Sequence, residues 1–127
     1  MRQKVFVYGT LMSGEGNHRL LDHNGARLLG PAVTAPSFDL VSLGGFPAMF
    51  ADGDTAIAGE LYEVDAATLE DLDRLEGHPR FYRRQRIALA DGARVEAYVL
   101  PRDSFAAERA TPIASGDWRT VRREIWR

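Results

Sequence analysis

Val5-Phe6-Val7-Tyr8-Gly9-Thr10-Leu11 is the stretch that decides the fold. Four consecutive β-branched or aromatic residues followed by a glycine read as a buried strand over residues 4–8 that ends in a loop at Gly9. An apolar run this short is far below the roughly 20 residues of a membrane span and shorter than a signal-peptide core, so no membrane partner and a cytoplasmic location are expected. The rest of the chain suits such a start. It has 127 residues, 45% of them hydrophobic and 27% charged, which fits one continuous domain over residues 1–127 with its own core. Sixteen basic against eighteen acidic residues leave a formal charge of -2, without the broad positive field that polynucleotide binding demands, so no nucleic-acid partner is expected. There is no cysteine, which excludes disulfides, thiolate nucleophiles and cysteine-ligated zinc together. Any chemistry therefore falls to oxygen and nitrogen groups.

Outward from the first strand, residues 17–23 predict a short helix stopped by Asn24-Gly25. Residues 26–34 and 37–43 predict strands broken near Pro36. Gly44, Gly45 and Pro47 predict a turn into a short segment at residues 48–50, and Asp52-Gly53 predicts a further turn. Residues 57–64 carry a strand pattern, and residues 82–89 and 94–100 predict a hairpin across Asp91-Gly92. The sheet is expected to be antiparallel or mixed. A last helix is expected from Asp117, with Trp118, Val121 and Ile125 on one face and Arg119, Arg122, Arg123 and Arg127 as a solvated basic cluster.

The clearest helix is Ala66 to Glu76, with Asp65 as N-cap, Val64 and Leu69 placed as a hydrophobic staple, and Gly77 and Pro79 as its stop. At about 100° per residue, Leu69, Leu72 and Leu75 face the sheet and Glu70, Asp71 and Arg74 face water. Glu76 alone interrupts the apolar stripe, and Asp73 borders it less directly. A carboxylate there is partly desolvated and feels the negative end of the helix dipole, so its pKa should rise toward that of a general acid or base. The plainer alternative is that Glu76 turns outward or pairs with Arg80, Arg83 or Arg84.

The second feature is the loop Tyr8-Gly9-Thr10-Leu11, where a glycine beside a small hydroxyl residue at a strand end can leave backbone N–H groups free for an anion or a developing oxyanion. It lacks the glycine count of a phosphate-cradling or dinucleotide-binding loop. Tyr82 could border the same pocket and orient Glu76 through its hydroxyl, or simply pack. Arg83, Arg84 and Arg86 could meet a substrate carboxylate or cover an exposed strand face, with Glu60 buried beside them. Gly44-Gly45-Phe46-Pro47 predicts a backbone-demanding turn, because two glycines before an aromatic-proline pair permit conformations closed to bulkier residues, and core packing is the default for the Phe46 and Phe50 rings. His18, His23 and His78 form no metal-binding spacing.

Taken together, residues 5–11 with Gly45-Phe46-Pro47-Ala48, Gly59-Glu60-Leu61-Tyr62, Leu72-Asp73-Arg74-Leu75-Glu76-Gly77, Phe81-Tyr82-Arg83-Arg84 and Ser115-Gly116-Asp117-Trp118 resemble the γ-glutamylcyclotransferase-like family, in its γ-glutamylamine and AIG2-like branch. Met12 stands where many members carry a basic residue. The resemblance implies an α+β fold, a small mixed β-barrel with short flanking helices, and a cavity where the Tyr8 to Leu11 loop meets the glutamate-bearing helix. It implies Glu76 as catalytic acid/base and Tyr8, Gly9, Thr10 and Leu11 as the substrate-binding loop, with Tyr82 beside them. It implies no metal or organic cofactor and a small-molecule γ-glutamyl substrate cyclised to 5-oxoproline with release of an amine. The rival reading is a non-catalytic module of the same fold that binds an amino-acid-like carboxylate.

Overall fold

A computed structural model of the chain describes residues 2–125, with side chains described to residue 121. In chain order the elements are β1 (Arg2–Val7), α1 (His18–His23), β2 (Arg27–Val33), β3 (Phe38–Ser42), β4 (Pro47–Thr55), β5 (Ala58–Asp65), α2 (Ala66–Glu76), β6 (Arg83–Ala88), β7 (Arg94–Val99), a 3-10 turn (Phe105–Arg109), β8 (Thr111–Pro112) and α3 (Trp118–Ile125). This is the α+β class expected from the sequence.

The principal sheet has five strands in the order β2-β5-β1-β7-β6, and the second has three in the order β4-β3-β8. β1 pairs antiparallel with β5 and parallel with β7, which makes the larger sheet mixed. As its central strand, β1 is covered on both faces, and Val5, Phe6 and Val7 are all buried. That explains a continuous apolar run where a one-sided strand would alternate.

The expected barrel is only approached. The two edge strands of the larger sheet meet at one end, where Thr34 bridges to Leu89, the Ala35 amide donates to the Ala88 carbonyl at 3.0 Å and the Ala90 amide donates to Val33 at 2.9 Å. Their ladder does not run on from there, so the sheet curls without closing. The smaller sheet is tied across by the Leu100 amide, which donates to the Met49 carbonyl at 2.8 Å.

The local signals for α2 hold. The Thr68 amide donates to Asp65 Oδ1 at 2.8 Å, and Gly77 takes the left-handed conformation (φ 67°) that ends the helix. Leu69 and Leu72 are buried where the helix packs on β1 and β5. Leu75 is a correction: it is 43% exposed, because the sheet surface ends before the last turn of the helix reaches it.

The hairpin of β6 and β7 turns through Gly92 as expected. Asp52-Gly53, by contrast, does not separate two elements. Phe38 pairs with Thr55 while its neighbour Asp39 pairs with Phe50, so residues 51–54 form a bulge within a continuous β4. In α3, Trp118 is buried and Val121 packs half-buried against the core. The side chains of Ile125, Arg122 and Arg123, and all of Arg127, lie outside the described residues.

Candidate active site

Glu76 is the last residue of α2, and it lines a cavity of about 490 Å³ whose wall also takes in Phe6 and Val7 at the end of β1. Tyr8, Gly9, Thr10, Leu11 and Tyr82 line the same cavity, so all six residues singled out from the sequence meet there. They arrive from separate directions. β1 delivers the loop, α2 delivers the carboxylate, and the segment between α2 and β6 delivers Tyr82.

The carboxylate sits in low dielectric without a countercharge. Burial pushes the Glu76 carboxyl up to about 7, with no other contributor to the shift. Among the described residues none makes a hydrogen bond or ion pair with it. The alternative pairing with the arginines is therefore not realised: Arg84 is committed elsewhere, and Arg80 and Arg83 are exposed. Three phenols surround the acid. Burial, then the charges of Tyr82 and Glu76, raises Tyr8; burial, then Glu76, raises Tyr82; burial, then its hydrogen bond to Asp73, raises Tyr98. All three stay neutral hydroxyls at ordinary pH.

Opposite the acid, the loop is held by its carbonyls and side chains. Thr10 receives both the Asn17 amide on its carbonyl at 2.8 Å and Asn17 Nδ2 on its hydroxyl at 2.9 Å. The Leu11 carbonyl lies 3.1 Å from His18 Nδ1, and the Gly9 carbonyl accepts the Met12 amide at 3.1 Å. The amides of Gly9, Thr10 and Leu11 donate to no described residue, although they lie at the wall of the cavity. Unpaired backbone N–H groups in a row suit an anion or an oxyanion.

Gly9 is required by proximity. A Cβ there would stand 2.7 Å from Pro47 Cγ and 3.0 Å from its Cδ. The Pro47 carbonyl in turn accepts the Tyr82 hydroxyl at 2.5 Å, and the Tyr82 amide donates to the Glu76 carbonyl at 3.3 Å. This corrects the expected role of Tyr82, whose hydroxyl is bound to Pro47 rather than aimed at the Glu76 carboxylate.

Other expectations also move. Arg84 reaches Asp73 at 2.8 Å and Glu96 at 2.5 Å, and with Arg83 and Arg86 stays off the cavity wall. Glu60 is not beside these arginines. Its Oε1 accepts the Ser13 amide at 2.7 Å and the Tyr62 hydroxyl at 3.2 Å on the other side of β1. Phe46 lines the cavity, whereas Phe50 is buried in the core under Arg102. Met12 is fully buried and does not face the cavity.

Residues with no site role expected from the sequence also line the wall: Tyr98, Asn17, Phe81 and Leu75. Asn17 did carry a signal. It precedes α1 as a helix-capping type, yet its side chain makes no capping bond and serves the loop instead. Among the described residues no group of histidine and acidic side chains is arranged to hold a metal ion.

Residues 5–120 match the family described as gamma-glutamyl cyclotransferase, AIG2-like. The chain belongs to this family. The family protein YtfP of Escherichia coli is 35% identical over 116 residues, covering 91% of this chain and 95% of its own. A Vibrio cholerae relative is 46% identical over 87 residues, which are 68% of this chain and 73% of that one. Among solved structures, a mouse AIG2-like protein superposes with a TM-score of 0.69 at 31% identity, covering 84% of this chain and 81% of its own. In the AIG2-like frame, the loop after β1 and the glutamate ending α2 belong to two of the family-like motifs read from the sequence, and they face one cavity. Among the described residues no helix is long and apolar enough to cross a membrane.

Proposed function

We propose that this protein is a γ-glutamylcyclotransferase that converts a γ-glutamyl amide into 5-oxoproline and a free amine, with Glu76 as general acid/base. The single observation that carries this reading is the Glu76 carboxyl, raised to about 7 by burial, in the same cavity as the unbonded amides of Gly9, Thr10 and Leu11.

The reaction asks little else of the protein. In a γ-glutamyl amide the α-amino nitrogen lies a five-membered ring away from the γ-carbonyl carbon, so folding the substrate supplies the proximity. Glu76 as carboxylate takes a proton from the α-ammonium and frees the nitrogen lone pair. That nitrogen bonds to the γ-carbon, the carbonyl oxygen gathers negative charge, and the loop amides stabilise it or hold the α-carboxylate. As the C–N bond to the amine breaks, Glu76 returns the proton to the departing nitrogen. The two protons lost by the α-ammonium end on the released ammonium group, and the ring closes as 5-oxoproline. A carboxyl near pH 7 suits both halves of this relay. The nucleophile is the substrate's own and the proton carrier is a side chain, so these steps require no further group.

The test is Glu76→Gln, which preserves size and removes proton transfer. Purified parent protein should release 5-oxoproline from γ-glutamyl amides, and the folded variant should lose that activity by at least 100-fold. Equal rates would remove Glu76 from the mechanism. Thermal stabilisation by γ-glutamyl compounds with turnover of none would favour the non-catalytic module.

A further inference from the structure

Asn17 departs from what its place in the chain asks of it. It precedes α1, and an asparagine before a helix ordinarily turns its side chain onto the helix's own first amides. Here it makes no such bond. Instead it clasps Thr10 twice: its backbone amide donates to the Thr10 carbonyl at 2.8 Å, and its Nδ2 donates to the Thr10 hydroxyl oxygen at 2.9 Å. Both residues line the cavity that holds Glu76. A hydroxyl has one hydrogen to give and two lone pairs with which to receive. One lone pair of Thr10 is filled by Asn17, so the hydrogen must turn away from that donor. Among the described residues, Tyr8, Tyr82 and Tyr98 on the same wall already donate their hydroxyls to the Tyr98 carbonyl, the Pro47 carbonyl and Asp73, whereas the Thr10 hydroxyl donates to nothing.

We propose that Asn17 is a positioning residue: it holds Thr10 so that the threonine hydroxyl hydrogen is kept for the cavity, where it adds a side-chain donor to the loop amides that meet the substrate's negative oxygen. The inference rests on the cyclotransferase reading and adds a residue that acts on the reaction through another. The polarity of the contact decides it. The amide nitrogen of Asn17 can only donate to Thr10, which leaves the hydroxyl hydrogen for the substrate. A carboxylate in the same place can only accept, so it would draw that hydrogen out of the cavity. For the helix alone the two residues are interchangeable, since asparagine and aspartate serve equally well at a helix start and a negative charge is favoured there. The second bond, backbone to backbone, fixes the same threonine through its carbonyl. The loop thus holds its shape before substrate arrives, and less ordering is left to be done on binding.

The experiment is a double-mutant cycle of Asn17→Asp and Thr10→Val, read as kcat/KM for 5-oxoproline release from the fastest of γ-glutamylmethylamide, γ-glutamylbenzylamide and γ-glutamylglycine. Asn17→Asp is expected to lower kcat/KM at least 10-fold in the parent and less than twofold in the Thr10→Val background, where no hydroxyl remains to be turned. Thr10→Ser keeps the hydroxyl and should keep the full sensitivity to Asn17→Asp. Asn17 is exposed, so an aspartate there stays hydrated, and circular dichroism establishes that each variant is folded. Asn17→Ala, carried through the same cycle, decides the matter if the aspartate variant is not; its loss should be at least threefold and should likewise vanish with Thr10→Val. Full activity of Asn17→Asp, or a loss of equal size in both backgrounds, as the added charge alone would produce, overturns the assignment while leaving the cyclotransferase reading intact. If none of the three compounds yields 5-oxoproline, the catalytic reading falls. Asn17 is then judged by thermal shift with 5-oxoproline, where stabilisation of the parent that Asn17→Asp abolishes upholds the assignment and equal shifts of the two proteins overturn it.

Discussion

The hydroxyl of Tyr8 donates to the backbone carbonyl of Tyr98 at 2.7 Å. Tyr98 in turn donates its own hydroxyl to Asp73 Oδ1 at 2.7 Å, three residues before Glu76 on α2. The parallel pairing of β1 with β7 is thus reinforced by side chains that reach from the loop strand to the helix bearing the acid.

Removing the first link should cost stability. In Tyr8→Phe the Tyr98 carbonyl loses its side-chain donor and the Met49 amide loses the acceptor it meets at 3.1 Å, both in a buried setting. The expected loss is about 1–3 kcal/mol, read by urea unfolding. An unchanged midpoint would mean that the surrounding groups find other partners.

The acid should leave two signatures in pH. Since a base must be deprotonated in the free enzyme, kcat/KM of the parent should climb as pH passes about 7. Stability runs the other way. A carboxyl whose folded pKa is raised binds its proton more tightly when folded, so its contribution is complete below the ordinary glutamate range and is lost as pH rises to about 7. Glu76→Gln removes that loss and should be the more stable protein at pH 8, by about 2 kcal/mol after allowance for solvent screening. Unfolding curves at pH 5 and pH 8 decide it; parallel behaviour of parent and variant would contradict the burial of the carboxyl.

Gly9→Ala places a methyl 2.7 Å from Pro47 Cγ. The proline has to shift, and its carbonyl carries the Tyr82 hydroxyl. Overpacking of this kind costs about 1–3 kcal/mol, and here it should lower both the melting temperature and 5-oxoproline release. A variant with full activity and unaltered melting would show that the loop and turn are looser than their spacing implies.

Asp73→Ala strips two partners at once. Arg84 keeps Glu96 but loses the carboxylate at 2.8 Å, and the Tyr98 hydroxyl loses its acceptor. The expected cost is about 2 kcal/mol for a partly buried pair. Burial by itself would raise the Asp73 carboxyl, but hydrogen bonds from Arg84 and Tyr98 and the Arg84 charge outweigh it and hold it below the usual range. Its contribution is therefore present at neutral pH and fades as acid titrates it, so the gap between parent and variant should narrow toward pH 3. A gap that widens in acid would reverse the sign of the argument.

The features legible in the sequence are those fixed by neighbours along the chain. Asp65 caps three residues ahead, Gly77 ends α2 by its own backbone freedom, and the doubly buried β1 reads as an unbroken apolar run. The positions of Glu76 and the Tyr8 to Leu11 loop followed from the same local rules plus family-like motifs. What was not legible depends on partners far apart in sequence. Arg84 meets Asp73 on α2 and Glu96 on the next strand, Tyr98 joins β1 to α2, and the bulge at residues 51–54 is visible only against the register of β3. Leu75 misled because helical spacing predicts a face, not where the opposing sheet stops.

Pro47 touches the whole arrangement at one point: its ring closes on Gly9, and its carbonyl anchors Tyr82, whose amide is bound to the end of the helix that bears the acid. Phe46 and Leu75 stand next to this brace in sequence and in space, yet their side chains take no part in it. Substitutions at these two outer positions can therefore reshape the cavity wall while the contacts between Gly9, Pro47 and Tyr82 stay in place.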